Sequence, residues 1–337
     1  MRDRCEDSRT IAVLYEHPEW FKPLFAELER RGVPYERWEA HRAAYDPAVP
    51  RLPHALVINR MSPSAYLRGH ASAIFYTRQL LAYLRDIGTP VINPYEAFAV
   101  ETLKALQLEI FEKLRLRYPR TRLINHAELA SDAAQGFEFP VIVKPNIGGS
   151  GAKIQKFATR EELSAAAGAG RIDLGLDATA LVQEFLPARD DSIVRVEELD
   201  GRFLYAIKIV TRPDDDFNLC PADICQEESA AKSGAADDFS RCLAAAPAEK
   251  RRLHIESYAP PAQIVDDALA IAREARFDVG GIEYLVSERD GEAYFYDANA
   301  LSNFVTDAPR IVGFDPYARF VDYVLERAGG RVAATGR

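Results

Sequence analysis

Apolar residues follow two rhythms along this chain: short unbroken runs, and stripes at helical spacing. The two alternate. Residues 10–15 (TIAVLY) and 55–59 (ALVIN) are near-continuous apolar runs, the mark of buried parallel strands. Residues 18–31 place Phe21, Leu24, Phe25 and Leu28 on one helical face, and Gly32 stops them. A second strand is expected at 34–38, a helix at about 72–85 ended by Gly88, and a short strand at 90–93. Strand, helix, strand, strand, helix, strand describes a small open α/β domain. Ligands of such sheets sit beyond the carboxyl ends of the strands.

Further on, one helix is expected over 94–116, with Lys104 inside it, then a strand at 121–124 and a short helix at 128–135. Apolar runs at 141–143 and 180–186 read as strands, and 161–169 as an alanine-rich helix. Strands at 192–197 and 202–210 form a hairpin around Asp200-Gly201, a strong turn dipeptide. Residues 227–250 carry alanine and charge without a period and are expected to be a surface insertion. An amphipathic helix follows at 261–276, then strands at 280–286 and 293–296 joined at Asp290-Gly291. Asp315 and Pro316 start a last helix, Gly329 and Gly330 stop it, and 331–337 form a frayed tail.

Composition narrows the classes. With 337 residues, 48% hydrophobic and 28% charged, the chain is long enough for two or three globular domains. A net charge of −9 argues against a nucleic-acid partner. No apolar run of about 18 residues exists, so no membrane helix is expected. The charged start MRDRCEDSRT lacks a signal peptide's apolar stretch, which points to the cytoplasm. Four cysteines, with no histidine at zinc-like spacing near Cys220 and Cys225, are expected to be reduced thiols.

The stretch 139–157, FPVIVKPNIGGSGAKIQKF, is strand, glycine loop, strand. Lys144 ends the first strand, and Gly148, Gly149, Ser150 and Gly151 offer backbone amides that can approach closely. A cation beside bare amides suits a polyphosphate, although the same residues also make a tight turn with a surface lysine. The second informative stretch is 280–304. Asp297 and Asn299 lie two apart on a strand and share a side, and the hairpin partner can bring Glu283 alongside. Two carboxylates and an amide oxygen suit Mg²⁺, with phosphates completing its octahedron; an acidic hairpin face is the plainer alternative. Arg195 and Lys208 sit on hairpin strands, where buried cations need anionic partners. Arg60 ends a strand and suits either a substrate carboxylate or an interdomain ion pair.

In this order, the motifs resemble the ATP-grasp superfamily, in particular RimK-type carboxylate–amine ligases, over nearly the whole chain. NRMSPSAYLRG and PVINPYEAF resemble the end of that family's N-terminal domain. Lys104 resembles its first nucleotide lysine, and VIVKPNIGGSG its second lysine and flexible loop. LVQEFLP, with Gln183, Glu184, Phe185 and Leu186, resembles the hinge that reads adenine, and Asp191 the ribose position. Lys208 stands where relatives carry a cation, and Asn218 where they carry an asparagine. IEYL and DAN resemble the two acidic metal positions, with the two acids exchanged. The segments LCPADICQ and ALSNF depart from the family's acceptor side, so glutamate is not assumed as acceptor.

The resemblance implies an α/β (α+β) ATP-grasp fold with an N-terminal open α/β domain at 1–95. A central lid subdomain would span 96–186 and a C-terminal subdomain with the metal site 187–328, leaving 329–337 as a tail. It implies an ATP-dependent ligase joining a carboxylate to an amine through an acyl phosphate. ATP and one or two Mg²⁺, or Mn²⁺, would be cofactors; amino acids or short peptides would be partners, and a homo-oligomer is compatible. Lys208 and Arg195 would meet the transferred phosphoryl group. Arg60, Asn303, Arg68, His70 and Arg310 are candidates for the substrate side. A non-catalytic ATP-binding module, or a ligase with a thiol or hydroxyl acceptor, stands as the alternative.

Overall fold

The computed structural model describes residues 10–210, 217 and 253–329. Three sheets organise them. The first is parallel, in the order β2-β1-β3-β4, with β1 Ile11–Tyr15, β2 Tyr35–Glu39, β3 Leu56–Arg60 and β4 Val91–Ile92. α1 (Lys22–Arg30) and α2 (Ala71–Asp86) cover it. All five residues of β1 and of β3 are buried, as their unbroken apolar runs demand. The stretch before α1 is a separate 3-10 turn, Pro18–Phe21.

The second sheet is antiparallel, in the order β5-β8-β6-β7: β5 Thr121–Ile124, β6 Val141–Pro145, β7 Gln155–Phe157 and β8 Ala180–Glu184. It has its own core, in which Val141, Val143 and Val182 meet Ala130 of α5 (Ala130–Ala133) and Leu163 of α6 (Arg160–Gly168). The third sheet, order β11-β10-β9-β12-β13, is built from β9 Ala188–Leu199, β10 Arg202–Val210, β11 His254–Ser257, β12 Val279–Ser287 and β13 Ala293–Asn299. β9 reaches further than the expected 192–197, passing through Asp190 and Asp191 at positive φ. β11 has no counterpart in the sequence reading; its half-exposed HIES carries little apolar signal.

The expected single helix at 94–116 is two, α3 (Tyr95–Thr102) and α4 (Lys104–Lys113). Leu103 between them is extended, at φ −112° and ψ 102°. Neither glycine nor proline makes that break. Asn146, just past β6, makes it: its carbonyl accepts the Lys104 N–H at 3.2 Å and its Oδ1 accepts the Ala105 N–H at 2.9 Å. The first amides of α4, which have no partner within the helix, are thus satisfied from another sheet.

Ala97, Val100, Ile110 and Phe111 of α3 and α4 pack into the third sheet's core, beside Val196, Ile271 of α7 (Ala262–Glu274), Ile282 and Phe295. Phe98 of α3 instead packs into the first sheet's core, beside Leu14, Val57 and Leu81. On the other face of the third sheet, Ile193, Ile207 and Val279 share one core with β1, α1 and Phe320 of α9 (Pro316–Arg327). A short α8 (Ala308–Ile311) precedes α9. Among the described residues no helix is long and apolar enough to cross a membrane.

Candidate active site

A cleft of about 580 Å³ is lined by the second and third sheets together with residues of the first domain. Strand parity sets its upper wall. Val141 and Val143 of β6 turn into the second sheet's core, so Ile142 and Lys144 face the cleft. Lys144 is 5% exposed. Burial lowers its pKa to about 7, and the neighbouring Lys104 charge adds to the effect.

The glycine loop runs from that strand along the cleft, with Ser150 and Gly151 at φ 52° and 65°. Gly149 lies against Ser64, which belongs to a 3-10 turn, Pro63–Arg68, after β3. A Cβ at Gly149 would sit 2.7 Å from the Ser64 Cβ and 3.0 Å from its backbone. We expect Gly149→Ala to push the loop off this seat. Overpacking of this kind costs about 1–3 kcal/mol, so nucleotide affinity should fall on the order of 10-fold by calorimetry. Unchanged affinity would show that the seat is irrelevant to binding.

α4 delivers Lys104 from its first residue, and the Lys104 Nζ bonds Asp297 Oδ1 at 2.5 Å. The opposite charges hold both groups ionised against burial. The Lys104 pKa is raised and that of Asp297 lowered, the latter by Lys104 first and Lys144 second. Gln107, one turn along α4, accepts the Ala298 N–H at 3.2 Å and donates to the Ala298 carbonyl at 2.9 Å. It therefore clamps the backbone between Asp297 and Asn299.

β13 turns Asp297 into the cleft by an irregularity. Glu283 pairs with Asp297 but Tyr284 pairs with Phe295, so one residue, Tyr296, is extra. The bulge lets Phe295 remain in the core while Asp297 faces the cleft. Asn299 Nδ2 donates to Asp297 Oδ2 at 3.3 Å. Across the sheet, Arg195 donates to Glu283 Oε1 at 2.7 Å and to the fully buried Glu197 at 2.5 Å. Burial raises the Glu283 pKa, and Arg195 opposes it. Gly281 leaves room for this: a Cβ there would lie 2.3–2.5 Å from the guanidinium.

Among the described residues no three His, Cys, Asp or Glu side chains form a cage for a metal ion. The donor set is two carboxylates and an amide, Glu283, Asp297 and Asn299, all lining one cleft. Hard oxygens few in number fit Mg²⁺ shared with phosphate better than a metal held by protein alone.

The hinge residues Gln183, Glu184, Phe185 and Leu186 line the far end, with Asp191 exposed there. The Phe185 N–H bonds the Pro140 carbonyl at 3.0 Å, and Lys156 stands 3.7 Å over the Phe185 ring. Asn303 also lines the cleft. Asn218, Cys220 and Cys225, like the insertion 227–250, lie outside the described residues.

Five expected site residues, Lys208, Arg60, Arg68, His70 and Arg310, do not line the cleft. Lys208 pairs with Val194, whose side chain is in the helix-covered core, so Lys208 lies on the sheet face opposite the cleft. Ile207, paired with Arg195, takes the cleft-side parity. Arg60 is 1% exposed, lies between the Phe21 and Phe320 rings, and donates to the Ser302 carbonyl. Burial lowers its pKa to about 10. Among the described residues it makes no ion pair, and it does not line the cleft. Arg68 and His70 both bond the buried carboxylate of Glu16, and the exposed Arg310 pairs with Asp307.

Sequence reading passed over Glu101. It lines the cleft, is 7% exposed, and accepts the N–H groups of Ala300 and Leu301 on one oxygen. Burial first, and Asp297 second, raise its pKa to about 7. It also passed over Glu197, Asn146, Gln107 and Asn93, which joins β4 to Val279 and Ala300. Asn93 and Asn146 lie inside PVINPYEAF and VIVKPNIGGSG without being the residues that carry those motifs, and Glu101, Gln107 and Glu197 sit in no motif.

No family model matches the sequence. A D-alanine–D-alanine ligase of Geobacter sulfurreducens is 29% identical over 206 residues, 61% of this chain. The match spans about half, 56%, of that relative. Among solved structures, the ATP-grasp ligase PsnB complexed with a minimal precursor superposes with a TM-score of 0.63 at 19% identity, over 95% of this chain and 99% of that one. A RimK domain protein ATP-grasp from Sphaerobacter thermophilus gives 0.63 at 18%, over 94% and 99%. A D-alanine–D-alanine ligase from Bacillus anthracis gives 0.64 at 13%, over 97% and 99%. At such identities the likeness is one of architecture.

Proposed function

We propose that this chain, which has the ATP-grasp fold, is an ATP- and Mg²⁺-dependent ligase that joins a carboxylate to an amine. One observation carries the reading. The Lys144–glycine-loop cradle and the Glu283–Asp297–Asn299 donor set line the same cleft, with Lys104 and Asp297 in contact between them. A cation and a metal-ligand carboxylate side by side is what a polyphosphate and its metal require of a protein. A D-alanine–D-alanine ligase as partial sequence relative, and PsnB solved with precursor, Mg and ADP, support the same chemistry.

In this reading Lys144, Lys104 and the amides of Gly148, Gly149, Ser150 and Gly151 hold the phosphates. Gln183 to Leu186 hold adenine, and Asp191 the ribose. Glu283, Asp297 and Asn299 hold one or two Mg²⁺, or Mn²⁺, which when bound neutralise phosphate charge. Arg195, fixed by Glu197 and Glu283, meets the phosphoryl group transferred to the carboxylate, or the oxyanion formed when the amine attacks the acyl phosphate. The glycine loop, seated on Ser64, excludes water from the acyl phosphate until an amine displaces phosphate. ADP and phosphate leave. Amino acids and short peptides are the substrate classes. A pure nucleotide binder would have no need for Arg195 to be fixed by two carboxylates beside the donor set.

The test is ADP release from purified protein, ATP and MgCl₂ with pooled amino acids and short peptides, read with product mass. We expect release to need both a carboxylate and an amine, and a product lighter than their sum by one water. Nucleotide binding without turnover in any pool would favour a non-catalytic module. A thioester or ester mass would make the acceptor a thiol or hydroxyl.

A further inference from the structure

The segment that leaves β13, residues 300–305, is neither helix nor strand, yet its backbone is anchored at several points along its length. Asn93 donates to the Ala300 carbonyl at 2.7 Å, and Tyr317 donates to that of Asn303 at 2.9 Å. Arg60 donates to the Ser302 carbonyl, and the Tyr205 hydroxyl accepts the Val305 N–H at 3.1 Å. The segment's first two amides, of Ala300 and Leu301, both fall to one oxygen of Glu101. These anchors come from five other elements of the fold: the ends of β3 and β4, α3, β10 and α9. Irregular backbone anchored from so many sides is held for position.

Glu101 is the anchor nearest the donor set, since its first partner follows Asn299 directly. We propose that Glu101 is a positioning residue: by holding the amides of Ala300 and Leu301 it aims Asp297 and Asn299, and it acts through reach rather than charge. The inference rests on the ligase reading for its kinetic consequence, but its binding consequence stands without any substrate. Because both amides meet the same oxygen, an amide oxygen can replace the carboxylate there. A carboxylate one methylene shorter cannot reach.

The experiment compares Glu101→Gln with Glu101→Asp in the full chain. Calorimetry reads how much Mg²⁺ strengthens ADP binding; steady-state assays read kcat and the KM for ATP. We expect Glu101→Gln to keep most of the Mg²⁺ enhancement and most of kcat. Glu101→Asp should lose on the order of 10- to 100-fold in kcat and a comparable part of the enhancement, with affinity for metal-free ADP unchanged. The reverse order would show that charge acts and overturn the proposal, as would equal Mg²⁺ enhancement in both variants and parent. A lower melting temperature with both readouts intact would make the role structural, and also overturn it. If Glu101→Asp melts below the assay temperature, parent and both variants are compared at a temperature below its melt, with the same expected order. Failure of the ligase reading looks different: the parent would bind Mg²⁺ and ADP but release no ADP from ATP with any carboxylate–amine pair.

Discussion

Asp297→Asn should lower ligase turnover on the order of 10²- to 10³-fold while leaving the fold intact. The size follows from what the change removes. The carboxylate is a donor in the proposed metal set, the partner of Lys104, and the acceptor of the Asn299 amide. The asparagine keeps the shape, so the β13 bulge and the Gln107 clamp should survive. Either substitution takes the counter-charge from Lys104, but asparagine keeps an oxygen that accepts its hydrogen bond, which alanine would also remove. The control is a thermal melt beside the ADP-release assay, with Mg²⁺ titrated well above its normal requirement. Turnover close to the parent's would sink the metal assignment. A large loss that high Mg²⁺ partly restores would tie the defect to metal affinity.

Lys144→Met should weaken ATP binding by roughly 10- to 100-fold, the worth of one charge-assisted contact to phosphate. It also carries a pH signature. Burial, and Lys104 after it, lower the Lys144 pKa to about 7, so above that pH the free protein holds a growing fraction of neutral lysine. Phosphate favours the ammonium. Binding above pH 7 must therefore take up a proton, and affinity should fall as pH rises through the range from 7 to 9. Calorimetry in two buffers of different ionisation enthalpy counts that proton. In Lys144→Met the uptake should vanish and the affinity should lose this pH slope. Proton uptake unchanged in the variant would assign it elsewhere.

Much of the cleft was legible because its chemistry is local. Lys144 with its loop, the hinge at 183–186, and the Asp297–Asn299 pair are short stretches whose residue types already imply the contact they seek. The structure brings these into one cleft. What was illegible depends on pairing between distant strands. Lys208 was assigned by its place in a strand, but only the register with Val194 decides which face it takes. Arg60 lies at a strand's carboxyl end, as a ligand residue should, yet Phe21 and Phe320 close over it from segments that no local pattern connects. The helix break at Leu103 carries no glycine or proline because its cause, Asn146, lies in another sheet. Glu101 was hidden by its ordinary helical setting.

The anchoring of residues 300–305 bears on how such a protein changes over generations. The path of that segment is dictated by side chains elsewhere, so the two residues it shows to the cleft, Leu301 and Asn303, do not determine their own backbone. Their side chains can be exchanged while the path persists, and the hinge at 183–186 is untouched by the exchange. If the proposed ligase reading holds, a new substrate preference would thus arise by drift at two positions, with the nucleotide site left as it is.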